Sequence, residues 1–121
     1  MPDDKKNLGH HGETAAAFFL KSKGFTILET NYRTKPAEID IIARDDDTIC
    51  FIEVKTRGSL KKGLPKESVT VSKQKKILLG ACFYLKQKKW ENSRIRFDVV
   101  EVYKKQDGFD INLIKNAFQA H

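Results

Sequence analysis

This chain has few cysteines: Cys50 and Cys82 are the two among its 121 residues. Two cannot build a disulfide framework, and their separation lacks the paired spacing of a structural metal site. Both are expected as buried, reduced packing residues, which suits a cytoplasmic protein. Long apolar runs are missing too. Nothing approaches the roughly 20 apolar residues that span a bilayer, so no membrane partner is expected. The opening stretch MPDDKKNLGHHG has no hydrophobic segment of the kind a secretion signal needs. There is no internal repeat, low-complexity tract or interdomain linker. No HExxH pairing makes a metal site of His10 and His11, which read as a solvated pair in a flexible entry. An aromatic-rich RNA-recognition motif is absent as well.

What is present is the composition of one globular domain spanning residues 1–121, with 40% hydrophobic and 32% charged residues in 13.9 kDa. The formal net charge is +7 and the pI about 9.4. A basic excess of this size points to a polyanionic partner, with nucleic acid the first choice. The excess is unevenly placed. Lys61, Lys62, Lys66, Lys73, Lys75, Lys76, Lys86, Lys88 and Lys89 all lie in the second half, whereas acids cluster earlier.

The acids matter most between Glu38 and Lys55, EIDIIARDDDTICFIEVK. Two segments rich in Ile, Val and Phe, Glu38–Arg44 and Thr48–Thr56, flank Asp45-Asp46-Asp47, which suits a tight hairpin. Side chains alternate along a strand, so Glu38, Asp40 and Ile42 share one face, as do Ile49, Phe51, Glu53 and Lys55 on the next strand. An even turn centred between Asp46 and Asp47 sets Asp40 opposite Glu53 and Glu38 opposite Lys55. Like charges directly opposite one another destabilise a sheet. A surface charge ladder accounts for Glu38 and Lys55 but not for Asp40 and Glu53. A divalent cation between the two carboxylates explains them better, and Mg²⁺, which often takes one or two carboxylates and keeps several waters, is the natural choice.

Asp40 followed by Glu53-Val54-Lys55 resembles the signature of the restriction-endonuclease-like (PD-(D/E)XK) superfamily. A wider set is similar to the small bacterial YraN-like family, which is related to archaeal-type Holliday junction resolvases. It comprises Gly9, Gly12-Glu13, Ala16, Gly24, Asn31-Tyr32-Arg33, Glu38-Ile39-Asp40, Phe51 to Arg57, Lys73 and Arg96 to Val100. Ala37 departs from it, standing where that family usually has glycine. The resemblance implies a restriction-endonuclease-like α/β fold: an α-β-β-β-α-β core with a further C-terminal strand, its mixed sheet flanked by helices. It implies Mg²⁺ (or Mn²⁺) held by Asp40, Glu53, the Val54 carbonyl and Glu13, with Lys55 acting on the phosphate or the attacking water. Glu13, Asp40, Glu53 and Lys55 are then the catalytic set. The implied activity is metal-dependent hydrolysis of phosphodiesters in DNA, including branched or junction DNA, and symmetric cutting of a four-way junction would take a homodimer. A nucleic-acid-binding module without turnover and a protein-interaction subunit on the same fold are the alternatives.

The other elements follow from pattern. Glu13–Lys23 reads as a helix, with Ala15, Phe18 and Phe19 as its apolar face and Gly24 as its stop. Glu13 in the first turn also suits the helix dipole without any metal. Phe25–Tyr32 reads as a strand. Ser72–Lys88 reads as a second helix capped by Ser72, with Ile77, Leu78, Ala81, Tyr84 and Leu85 facing inward. Arg96–Tyr103 and Phe109–Ile114 read as the last strands, with Asp98 paired to Arg96. Apolar residues on both strand faces, Ile39 and Ile41 against Ile42, call for helices on both sides of the sheet. Arg33, Arg57, Lys61, Lys62 and Lys73 are the expected nucleic-acid contacts. Lys61 and Lys62 sit in a basic loop, Arg57–Ser68, that Gly58, Gly63 and Pro65 keep irregular. Arg33 could equally cap a loop, and Lys73 could equally belong to a solvated basic face.

Overall fold

A computed structural model describes residues 4–35, 37–57 and 69–119, with side chains from His11 onward. The order is α1 (Asp4–Ser22), β1 (Thr26–Arg33), β2 (Glu38–Asp45), β3 (Thr48–Arg57), α2 (Val71–Lys88), β4 (Arg94–Lys105) and β5 (Gly108–Phe118). The strands form one sheet in the order β1-β2-β3-β4-β5. All neighbours are antiparallel except β3 and β4, which run parallel because the chain crosses over through α2 between them. This is the expected mixed α/β sheet with its α-β-β-β-α-β core.

Each face of the sheet feeds its own apolar cluster. Ile42, Ile49, Phe51, Phe97 and Val99 pack with Ile77, Ala81 and Tyr84 of α2. Ile41, Cys50, Ile52, Val100 and Val102 pack with Ala16 and Leu20 of α1. The apolar run in β3 therefore reflects a strand covered on both sides. At about 25 cal/mol per Å² of apolar surface, each fully buried Ile or Leu contributes roughly 1.5–3 kcal/mol.

The helices depart from expectation in their details. α1 begins at Asp4, so His10 and His11 lie within it and not in a flexible entry. Gly9 and Gly12 lower intrinsic helicity, yet Gly12 is where α1 meets β3: a Cβ there would overlap the Thr56 hydroxyl. Its buried stripe is Ala16 and Leu20, one turn apart, while Phe18 is exposed and Ala15 and Phe19 are only partly covered. The helix stops as the sequence suggests. Gly24 has φ +95°, with Gly24 N–H donating to Lys21 O and Phe25 N–H to Leu20 O, a Schellman cap. Thr70, not Ser72, caps α2, its hydroxyl accepting from Lys73 N–H at 3.2 Å. Ser72 is already inside the first turn. Cys50 is buried as expected, but Cys82 lies on the outer side of α2 and is exposed.

Asp98 takes the structural part expected of it. Fully buried, it accepts from Arg96 Nε at 2.8 Å and Arg96 Nη2 at 2.9 Å, and from the backbone N–H of Asn116 at 2.9 Å. Arg96 also reaches Asp45 at 3.0 Å, tying β4 to the hairpin turn.

Candidate functional site

The site begins with the hairpin turn. Asp46 takes φ +54°, a left-handed conformation that Asp tolerates, and a two-residue loop joins Asp45 to Thr48. From there the pairing runs through Arg44↔Ile49, Ala43↔Cys50 and Ile42↔Phe51 to Ile41↔Ile52. That is the predicted register. The ladder then ends one step before Asp40 and Glu53. In place of a backbone acceptor, Asp40 Oδ2 accepts the Val54 N–H at 2.8 Å. The expected facing of Glu38 and Lys55 is lost with the ladder. Glu38 pairs with Arg33 across β1 at 3.7 Å, and Lys55 Nζ turns to Glu53 at 3.4 Å.

The strand's alternation slips at the same point. Ile39, expected on the face of Ile41, joins Ile42 in the α2-side cluster. Asp40 is thereby left between the faces and borders two clefts. One, of about 250 Å³, is lined by Ala37, Glu38, Asp40, Glu53, Lys73, Lys76 and Ile77. The other, of about 230 Å³, lies on the α1 side and includes Glu13 with Asp40. Gly80 lets α2 come close enough to form the first. A Cβ there would meet the Ala37 methyl at 3.0 Å and Ile39 Cδ1 at 3.2 Å.

Charge is concentrated at this junction. Glu53 is 6% exposed and receives the Lys73 ammonium as well as that of Lys55. Burial and the neighbouring Glu53 carboxylate push the Asp40 pKa up to about 7, with Glu13 adding to the rise and the Val54 N–H and Lys73 opposing it. Burial depresses the Lys55 pKa, and Lys73 beside it acts the same way against the pull of Glu53. Burial also works against the Lys73 charge, but Glu53 holds its pKa above the ordinary value. Two carboxylates thus converge with one carrying a raised pKa, and two lysines, Lys73 and Lys55, stand on the other as the local cations.

Among the described residues, no three His, Cys, Asp or Glu side chains gather tightly enough to cage a metal by themselves. An all-protein cage is not what magnesium requires. It takes one or two carboxylates and retains its waters. The hard oxygens of Asp40 and Glu53, with the repulsion between them, fit such an ion.

Of the expected nucleic-acid contacts, Lys73 lies in the first cleft, Arg33 is exposed beside Glu38, and Arg57 is half-buried at the end of β3. Lys61 and Lys62 lie outside the described residues. A profile of the uncharacterised protein family UPF0102 matches residues 12–102. The chain belongs to the UPF0102 family. A UPF0102 protein of Desulforapulum autotrophicum is 50% identical over 119 residues, covering 98% of both chains. One from Caldicellulosiruptor saccharolyticus is 50% identical over 117 residues, covering 95% of this chain and 99% of its own. One from Clostridium perfringens is 49% identical over 121 residues, covering 98% and 99%.

Two residues of this UPF0102 chain that the sequence named without placing them at a site, Lys76 in the basic excess and Asn31 in the family resemblance, are brought in by the geometry. Lys76 lines the first cleft, and its spacing of three from Lys73 on a helix was the available signal. Asn31 lines the second, with φ +52°. An asparagine inside a β-rich segment was the signal there.

Proposed function

We propose that this UPF0102 protein is a nuclease of the restriction-endonuclease-like kind, hydrolysing phosphodiester bonds in DNA, including branched or junction DNA, with Mg²⁺ or Mn²⁺. The observation that carries the reading is the convergence of Asp40 and Glu53 at the end of the hairpin ladder, with Lys55 beside them. Asp40, Glu53 and the Val54 carbonyl would hold the ion, with Glu13 on the α1 side. When bound, such an ion polarises the phosphate and lowers the pKa of a coordinated water towards neutrality. Asp40 is oriented for this by the Val54 N–H, which fixes one oxygen and leaves the other for a ligand. Lys55, mostly buried and low in pKa, carries its ammonium where charge develops on the phosphate. Lys73 and Lys76 supply positive charge to the cleft wall, and the first turn of α2 has no acid to offset them.

The test is a cleavage panel of single-stranded, blunt duplex, flapped and four-way-junction DNA, with RNA counterparts, in Mg²⁺, Mn²⁺ and chelator. Metal-dependent cleavage of DNA is expected. Salt-sensitive binding without any cleavage would instead favour a binding module. The placement of Lys73 on Glu53, already neutralising that carboxylate, suits this second reading.

A further inference from the structure

Phe18 is 73% exposed, more than any other large apolar side chain among the described residues. One exposed apolar residue is ordinary on a surface. This one lines the second cleft, together with Glu13, Ala17, Lys21, Thr30, Asn31 and Asp40. Beside the two acids, which face the metal junction, the cleft offers an aromatic ring, an amide, a hydroxyl and an ammonium, the groups that hold a nucleotide. The base stacks on the ring, its edge meets the amide and hydroxyl, and its phosphate meets the lysine. Asn31 takes φ +52°, between the paired positions Thr30↔Ile41 and Tyr32↔Ile39, a left-handed conformation that Asn tolerates. Asp40 borders both this cleft and the one shared by Glu53 and Lys73.

We propose that the cleft seats one unpaired nucleobase of the strand being cut, so that the preferred DNA has an unpaired segment, such as a flap or single-stranded branch. The inference rests on the nuclease reading and narrows its substrate. A base inside continuous duplex keeps both faces stacked and its pairing edge engaged, so it cannot offer a face to Phe18 without being flipped out. An unpaired base offers both at no such cost. Because Asp40 is common to the two clefts, the seated nucleotide adjoins the scissile phosphate, which would bind at the cation held by Asp40 and Glu53.

The variant Phe18→Trp gives a direct readout. Trp90 is the single native tryptophan, so wild-type emission can be subtracted. In chelator, where nothing is cut, oligothymidylate and flapped duplex should quench the emission of the introduced indole. Blunt duplex and thymidine monophosphate at equal nucleotide concentration should not. Phe18→Ala should weaken binding of flapped DNA on the order of tenfold, as loss of one base-stacking platform does, and leave blunt duplex unchanged. Equal quenching by blunt duplex, full quenching by the mononucleotide, or a Phe18→Ala affinity that falls equally for both DNAs would overturn the proposal. Wild-type cleavage in Mg²⁺ separates the two claims. Quenching without cleavage keeps the base seat and removes the nuclease assignment, whereas cleavage of blunt and flapped DNA alike, without quenching, does the reverse.

Discussion

Asp40 shows how one side chain takes on properties that its type does not have. Its carboxyl is pushed from 3.8 to about 7 by burial and by Glu53. The folded protein therefore keeps a proton that the unfolded chain releases above about pH 4. The stability this group contributes is full below that point and is lost as pH rises through about 7. Without metal, the melting temperature should fall across that window, and Asp40→Asn should flatten the fall, because an amide oxygen can still accept the Val54 N–H. Mg²⁺ or Mn²⁺ should raise the melting temperature most at the alkaline end, by binding the native state only. Calorimetry at stepped pH reads both effects, and Glu53→Gln should abolish most of the metal-induced rise; an undiminished rise would place the ion elsewhere. Lys55 is expected to act on chemistry and not on affinity. One mostly buried ammonium adds little to the long-range field, so Lys55→Ala should bind DNA almost normally while cleavage falls on the order of 10²–10³-fold. Wild-type cleavage by that variant would remove this site from the mechanism.

At the scale of elements, two glycines set how closely the helices approach the sheet, and so where Glu13 and Lys73 stand. Gly12 abuts Thr56 one residue before Glu13, and Gly80 abuts Ala37 and Ile39 two turns along α2 from Lys73. Ala37 thus makes contact with α2 through a methyl that glycine would lack. Gly12→Ala should cost about 1–3 kcal/mol, since the added methyl overlaps Thr56. Thr56→Ala in the same chain should recover part of it by removing the two nearest atoms, which denaturant titration of the double-mutant cycle measures. Simple additivity of the two substitutions would show that α1 does not dock through this contact.

Across the whole molecule, the charge of +7 is the term most dependent on ionic strength. DNA affinity is expected to come chiefly from phosphate contacts and to fall steeply with salt. The Lys61→Ala, Lys62→Ala double variant should bind more weakly and reduce the salt slope by up to about two phosphate-contact units. A slope unchanged in the double variant would assign the binding to other lysines, with Lys73, Lys75 and Lys76 at the start of α2 the next to substitute. The described residues include no helix long and apolar enough to cross a membrane.

The sequence by itself determined the hairpin register, because the turn acids and the alternating Ile, Val and Phe residues are local and a one-residue slip would turn the buried set outward. It also determined the Gly24 stop, the two-sided burial of β3 and the pairing of Arg96 with Asp98, each specified within a few residues of chain. Only the tertiary structure decided the rest. Helical spacing pointed to Ala15, Phe18 and Phe19 for the core, and the sheet covers the neighbouring stripe of Ala16 and Leu20 instead. α1 extends back past two glycines, the second of which lies against Thr56 of β3. Asp40 comes to lie between two clefts because the β2–β3 ladder ends at Ile41↔Ile52 and its carboxylate replaces the missing backbone acceptor. Alternation along a strand cannot foresee that break, since it depends on how far β2 and β3 stay together once the helices have docked.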